Sequence, residues 1–353
     1  MRDGTTLQLS LDSRATVIVV QHPFRAYRTQ PTTRMGATYQ IMKDSLFQYR
    51  EQGARFHGNK LWNLAVLLLL GVVWGLAFSL ARMSTETGIH PIAINYWTCL
   101  IGALLLVLYC VVTRQRVPLQ RNFLFLYIVC GVLGSVIPGT LYFYAASHVS
   151  AGVLSITVAT VPLVTFVGAA MFGIETPSLI RVTGVIFGII SIALLVLPGT
   201  SLPNPSAALW VLVMVVAASC YAAENLIIAA RTPAGSNVFV IVTGMLVAAT
   251  IMLTPVIWLS GTFTVLPWPL DRPGWAIVSM ALITATAYGG FYYLVIRAGP
   301  VFASQTAYVV TLAGVLWGMV IYDEAHSLWI WASLAVMIIA LTLVKPREAQ
   351  GKI

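Results

Sequence analysis

The 353-residue sequence predicts an all-α polytopic membrane protein, with ten transmembrane helices arranged as two inverted five-helix repeats. Three observations predict it. Apolar residues make up 59% of the chain and charged residues 9%, against roughly 45–50% and 25% in soluble globular proteins. Ten apolar runs follow Leu61, most of them near the roughly 20 residues that a membrane helix needs. The second half of the chain also echoes the first.

Taken in order, residues 1–60 stand apart, with nine basic residues, four acids and no helical apolar face. Their one hydrophobic run, Ala15 to Val20, is shorter than the roughly 7–15 residues of a signal-peptide core. The stretch reads as a disordered, basic, cytoplasmic tail. The apolar runs then cover 61–81, 91–112, 123–145, 151–172, 180–197, 207–230, 237–259, 275–297, 302–321 and 328–344. They lack the alternation of barrel strands, and open sheets cannot span lipid, so all are predicted helices. Pro91, Pro177, Pro198, Pro203, Pro205, Pro273 and Pro300 punctuate the breaks. The organisation is a first five-helix repeat over 61–199, a second over 207–346, and a cytoplasmic C-terminal tail over 347–353.

Counting Lys and Arg by loop sets the orientation. With the N-terminus inside, the inner side holds 18 and the outer side only Arg82 and Arg272. That bias places both termini in the cytoplasm and the chain in the plasma (inner) membrane. The formal charge of +9 is then explained by an anionic membrane face, and no nucleic-acid partner is implied. Cys99, Cys110, Cys130 and Cys220 all lie within apolar runs without CxxC spacing, so they read as small buried hydrophobes. No cofactor or metal is expected.

The repeat is visible residue by residue. Tyr142–Leu194 and Phe291–Leu343, aligned at an offset of 149, share eleven identities over 53 positions, among them Ser155/Ser304, Thr157/Thr306 and Glu175/Glu324. Apolar bias alone gives roughly half as many, so the match supports a repeat. Five helices is an odd number, so the halves enter the membrane in opposite directions. Inverted repeats of this kind place a substrate site at their interface near the bilayer midplane.

Several stretches resemble one family: VVWGLAF at 72–78, the corresponding CYAAEN at 220–225, LYFYAASHVSAGVLSITVATVPLVT from Leu141, and FYYLVIRAGPVFASQTAYVV from Phe291. Together with Glu175 and Glu324 after the fourth and ninth helices, they are similar to the drug/metabolite transporter superfamily, specifically the EamA-type ten-helix permeases. The resemblance runs from Leu61 to Pro346. It implies a secondary transporter of small organic metabolites working by alternating access, with export as the direction. The family commonly carries a basic residue in its second helix. Here that stretch holds Asn95, Tyr96 and Trp97, which argues against an anionic substrate held at that position.

Glu224 is the one ionisable residue well inside a run. A charge in hydrocarbon costs about 2.5–3.5 kcal/mol on insertion scales, so such residues commonly face a cavity or partner and mark substrate or proton paths. The alternative is a side chain that snorkels to the inner interface or pairs with Arg231. Tyr221 shares the helical face of Glu224, and Asn225 stands one step round. Tyr142, Tyr288 and Tyr292 lie in the later turns of helices three and eight, where they read either as pocket hydroxyls or as an interfacial belt. Trp74 and Trp97 carry the same two readings. Gln305 is a full amide within a span and favours a wet cavity. Pro138–Gly139, Pro162 and Gly289–Gly290 read as helix interruptions, either hinges or static kinks. Gly71/Gly75, Gly184/Gly188 and Gly314/Gly318 are GxxxG pairs that read as helix packing within one subunit. Asp323, Glu324 and His326 read as exposed helix-end groups.

The partners implied are a small-molecule substrate and the lipid bilayer, with a homodimer left open. The sequence carries no Walker-type GxxxxGK[ST] and thus no built-in ATP hydrolysis. An intramembrane enzyme or a channel without carrier activity is the competing reading. It lacks an acid/base pair, a metal cluster or a ring of like charges.

Overall fold

The computed structural model describes residues 60–344, apart from 87, 174, 199–201, 203–205, 234 and 299 and the side chains of 292, 295–298, 300 and 301. Both tails therefore lie outside the described residues. The described chain is helical with short connections, and every predicted run is a helix: α1 (Lys60–Ser84), α2 (Pro91–Val112), α3 (Arg121–Ala146), α4 (Ala151–Met171), α5 (Leu179–Val196), α6 (Ala207–Arg231), α7 (Val238–Leu259), α8 (Arg272–Ala298), α9 (Pro300–Ser304 and Thr306–Tyr322) and α10 (Leu328–Val344). Caps mark several starts. The Ser150 side chain accepts from Val153 N, the Asn237 side chain from Phe239 N, and Asp271 Oδ1 from Gly274 N. Each satisfies a donor that the first helical turn leaves free.

The packing is symmetric under exchange of the two halves. α1 lies against α8 and α9, and its counterpart α6 lies against α3 and α4. α2 packs on α7, α4 on α9 and α5 on α10. The α5–α10 seam shows the symmetry at atomic level. Ser191 Oγ donates to Ser333 O and Ser333 Oγ to Ser191 O, both at 2.8 Å. At the offset of 149 this pair maps onto Ala340 and Gly184, and Gly184 indeed rests on the Ala340 carbonyl. The other side of α5 exposes Ile180, Val182, Ile186 and Ile189, an aliphatic face suited to lipid.

The GxxxG pairs act within the chain. A Cβ at Gly75 would stand 2.7 Å from Ala313 Cβ and 3.0 Å from the Val310 carbonyl, while one at Gly71 would meet Val309. These contacts let α1 and α9 approach at backbone distance. Gly75→Val is expected to destabilise the purified protein by about 1–3 kcal/mol through overpacking. Gly102→Ala, which would meet only the flexible tip of Leu246, should leave the melting temperature near that of the wild type. Equal melting temperatures for both variants would refute close packing at Gly75.

Two of the three predicted interruptions are present. α3 widens into a π-helical turn over Val132–Val136, directly before Pro138. The proline ring excludes the carbonyl four residues back, and the π turn takes up the displaced backbone. α4 breaks after Val158, with Pro162 in the first turn of its second piece. The Thr157 and Thr160 hydroxyls donate to the Val153 and Thr157 carbonyls beside the break. At Gly289–Gly290 the expectation fails, because α8 runs unbroken through both glycines. Their lack of a side chain serves close approach instead: a Cβ at Gly289 would stand 2.3 Å from the Phe239 ring, and one at Gly290 3.1 Å from Leu70. α9 breaks at Gln305, so the fourth helix of each half is discontinuous.

Candidate functional site

Glu224 lies at the centre of the candidate site. It is 3% exposed on α6, and its Oε1 has no hydrogen-bond partner among the described residues. Arg231, at the end of the same helix, is exposed and makes no ion pair with it. The carboxyl instead faces the π turn of α3. A Cβ at Gly134 would stand 2.2 Å from Glu224 Oε1, so only glycine admits the group there. Gly134 is the fourth residue before Pro138, so the proline that forces the π turn and the glycine that receives the carboxyl belong to one local device.

Tyr221 lies one helical turn before Glu224 and shares its face, with Tyr142 of α3 and Tyr288 of α8 as electrostatic neighbours of this pair. Tyr142 donates from its hydroxyl to Ala77 O at 3.3 Å and packs edge-on against Phe78. Trp74 of α1 meets Tyr288 and Phe291, with ring centroids 6.2 and 6.3 Å apart. Cys130, one turn before Gly134 on the same helix, is fully buried. One buried acid on α6 thus faces α3, with hydroxyls of α3, α6 and α8 around it and Trp74 of α1 packed on Tyr288.

Four predicted residues lie elsewhere or are otherwise engaged. Asn95 is buried, and its amide donates to Ser135 O at 3.0 Å, Val136 O at 3.3 Å and Thr140 Oγ1 at 3.0 Å. It closes the backbone of the α3 break, and Gly139 makes room for it, since a Cβ there would stand 2.5 Å from Asn95 Oδ1. Trp97 donates to Thr264 O at 2.8 Å and packs on Phe263, holding the α7–α8 connection. Asn225 is exposed, and Gln305 is half-buried at the α9 break. The Tyr292 side chain lies outside the described residues. Sequence reading missed Gly134 and Cys130. The signal for Gly134 was its spacing from Pro138.

The comparisons bear on this arrangement. Residues 61–197 match the model of the EamA-like transporter family. The first half of the chain is thus similar to an EamA-like transporter domain. Beyond that domain, the chain is 25% identical over 280 residues to the "Uncharacterized inner membrane transporter YedA" of Escherichia coli strain K12, covering 79% of this chain and 89% of the relative. The same protein from E. coli O157:H7 matches equally. A solved crystal structure of a protein aligns with a TM-score of 0.56 at 16% identity, over 78% of this chain and 94% of its own. That likeness concerns the fold alone. The matched segment supplies Trp74, Cys130, Gly134 and Tyr142 to the site, whereas Glu224, Tyr221 and Tyr288 come from the half beyond it.

A second cluster lies at the end of the bundle where α1 stops and α2 begins. Arg82 pairs with Glu324 and lies over the Tyr322 ring at 4.4 Å. Tyr322 donates to Glu86 at 2.9 Å. The expectation of exposed helix-end groups holds for Asp323 and is corrected for the other two: the Glu324 side chain is 7% exposed and that of His326 2%. Asp323 takes a left-handed conformation (φ 51°) that reverses the chain after α9 and turns both residues inward over α4. Burial holds His326 below the ordinary value of 6.5, against a weaker opposing pull from Glu324. A histidine with a lowered folded pKa contributes stability that is full above 6.5 and is lost as pH falls through the folded value. Melting temperature should therefore drop more steeply between pH 7 and 5 in the wild type than in His326→Gln. Parallel pH profiles would refute this.

Proposed function

We propose that this chain is a secondary active carrier of small organic metabolites, such as amino acids or related compounds, acting as an exporter by alternating access. The observation that carries the reading is the Glu224 carboxyl, buried with Oε1 unpartnered where helices of both halves converge. Such a group needs a ligand, a water or a proton, because an isolated charge in an apolar interior is costly. An amine nitrogen would meet the carboxyl, with Tyr221, Tyr288 and Tyr142 as hydroxyl neighbours and Trp74 as an apolar wall. The carboxyl also suits proton coupling, since it can exchange a proton as the cavity changes sides.

The reading extends to the second half, residues 207–346, as an EamA-like repeat, supported by the exchange symmetry of the contacts. It places the chain in the inner membrane, as the name of the E. coli relative says of that protein. Both termini are cytoplasmic, as the Lys and Arg distribution favours. Pro138, Gly139 and Pro162 then mark the segments that flex, and Gly289 and Gly290 those where α8 slides against its neighbours. The test compares metabolites released by cells overexpressing the chain with those released by vector controls. A compound released only by the overexpressing cells is the expected result. Matching release and matching uptake, with expression confirmed, would overturn the carrier reading.

A further inference from the structure

Glu324 does more than pair with Arg82. Its carboxyl also accepts from the first two amides of α4, Ala151 N at 3.0 Å and Gly152 N at 3.3 Å. The contact joins the two halves, because Arg82 and α4 belong to the first and Glu324 to the second. Two glycines clear the space. A Cβ at Gly318 would stand 2.4 Å from Glu324 Oε2, and one at Gly152 would stand 2.8 Å from His326 Nε2. Above the contact lies a pocket of about 570 Å³, lined by Arg82, Glu86, His148, Tyr322, Glu324 and His326 among others.

The repeat partner of Glu324 is built differently. Glu175 pairs through Oε2 with Arg181 of its own half at 2.7 Å, and its side chain is 38% exposed. At the offset of 149, Ala151 and Gly152 correspond to Pro300 and Val301, and Gly318 to Ala169. Proline has no N–H to donate, and neither glycine is repeated. Arg231, the last-turn arginine of α6 as Arg82 is of α1, is exposed.

We infer that Glu324 is a one-sided latch: its carboxyl, held by Arg82 and the first turn of α4, keeps the bundle closed at this end, and among the described residues no equivalent closes the other. The two halves are related in fold but unequal in gating. Charge-assisted hydrogen bonds to a helix N-terminus are among the stronger contacts available across such an interface. The carrier therefore rests with this face shut, and opening it requires the carboxyl to leave both partners. This inference rests on the carrier reading for its meaning, but its test uses neither substrate nor transport.

The test is the thiol reactivity of a cysteine placed beneath the latch. Ser79, three residues before Arg82, is fully buried, and its Oγ has no hydrogen-bond partner among the described residues, so Ser79→Cys is close to isosteric. The background replaces Cys99, Cys110, Cys130 and Cys220 by alanine, and the purified full chain in detergent is labelled with a maleimide. Glu324→Gln should accelerate labelling about tenfold, on the scale of a lost charge-assisted contact. Glu175→Gln should leave the rate unchanged. Gly318→Ala keeps every charge but displaces the carboxyl, and it should accelerate labelling too, which covers the case in which Glu324→Gln does not fold. Unchanged labelling in Gly318→Ala and in any folded Glu324→Gln overturns the latch, as does equal acceleration by Glu175→Gln. A failed release assay would leave the latch standing, and unchanged labelling would leave the carrier reading standing.

Discussion

Replacing Glu224 by glutamine is expected to remove the pH dependence of transport and to lower its rate about tenfold or more, as loss of a charged hydrogen-bond acceptor worth about 1.5–3 kcal/mol implies. The substitution keeps size and shape, so Gly134 still accepts the side chain. What it removes is the exchangeable proton and the negative charge. A carrier whose cycle protonates Glu224 stalls at the step that needs that exchange. One that uses the carboxylate only to hold an amine loses affinity and keeps its pH profile. The measurement is initial rate against pH for wild type and variant in proteoliposomes, using the compound that the release comparison identifies. An unaltered rate and profile in Glu224→Gln would end the assignment of this residue. Glu224→Asp offers a finer readout, because the shorter side chain draws the carboxyl back from Gly134 and should weaken substrate affinity more than pH dependence.

Asn95→Leu is expected to lower the melting temperature of the purified protein by several degrees. Its amide donates to the Ser135 and Val136 carbonyls and to Thr140 Oγ1 within the broken segment of α3. A buried acceptor left unpaired costs about 1–3 kcal/mol, moderated in membranes, where interhelical hydrogen bonds average nearer 0.6 kcal/mol. Leucine matches the volume and supplies no donor. Asn95→Asp is the sharper case, since a carboxylate accepts where these carbonyls need a donor, and it should destabilise at least as much. A stable Asn95→Leu variant with impaired transport would reverse the assignment and make Asn95 a substrate contact.

Much of the fold was legible in the sequence, and the reason is physical. A chain with so few charges has to bury its backbone polar groups in helices, and the runs that do so mark themselves by length. The bounds of α2 agree to the residue, with Pro91 starting it sharply, and α10 begins at Leu328 as predicted. The site was legible in part. Glu224 announced itself as a charge in a span, and Tyr221 followed from helical spacing. Gly134 was harder to see, because its role depends on a proline four residues on and on a helix almost a hundred residues away. Asn95 was read as a candidate pathway residue because it stands in the second helix where the resembled family commonly carries a basic residue, and the sequence does not say that its partners are the carbonyls that Pro138 disturbs. Gly289–Gly290 looked like a break for a similar reason: glycine permits a kink and permits close approach, and only the neighbouring Phe239 decides between them.

The Asn95 contact also bears on how the chain is assembled. α2 leaves the ribosome before α3, so the amide is already in place when the π turn of α3 arrives. The helical hairpin of α2 and α3 can satisfy itself at that moment, with no help from later helices. The environment of Glu224 cannot, because Tyr288 arrives more than sixty residues after the carboxyl it faces. During synthesis the acid therefore precedes one of its neighbours, and its surroundings are incomplete until α8 arrives. Biogenesis thus runs from a self-sufficient hairpin to a dependent centre, and truncation after α7 should yield an inserted chain with an intact hairpin and an unfinished site.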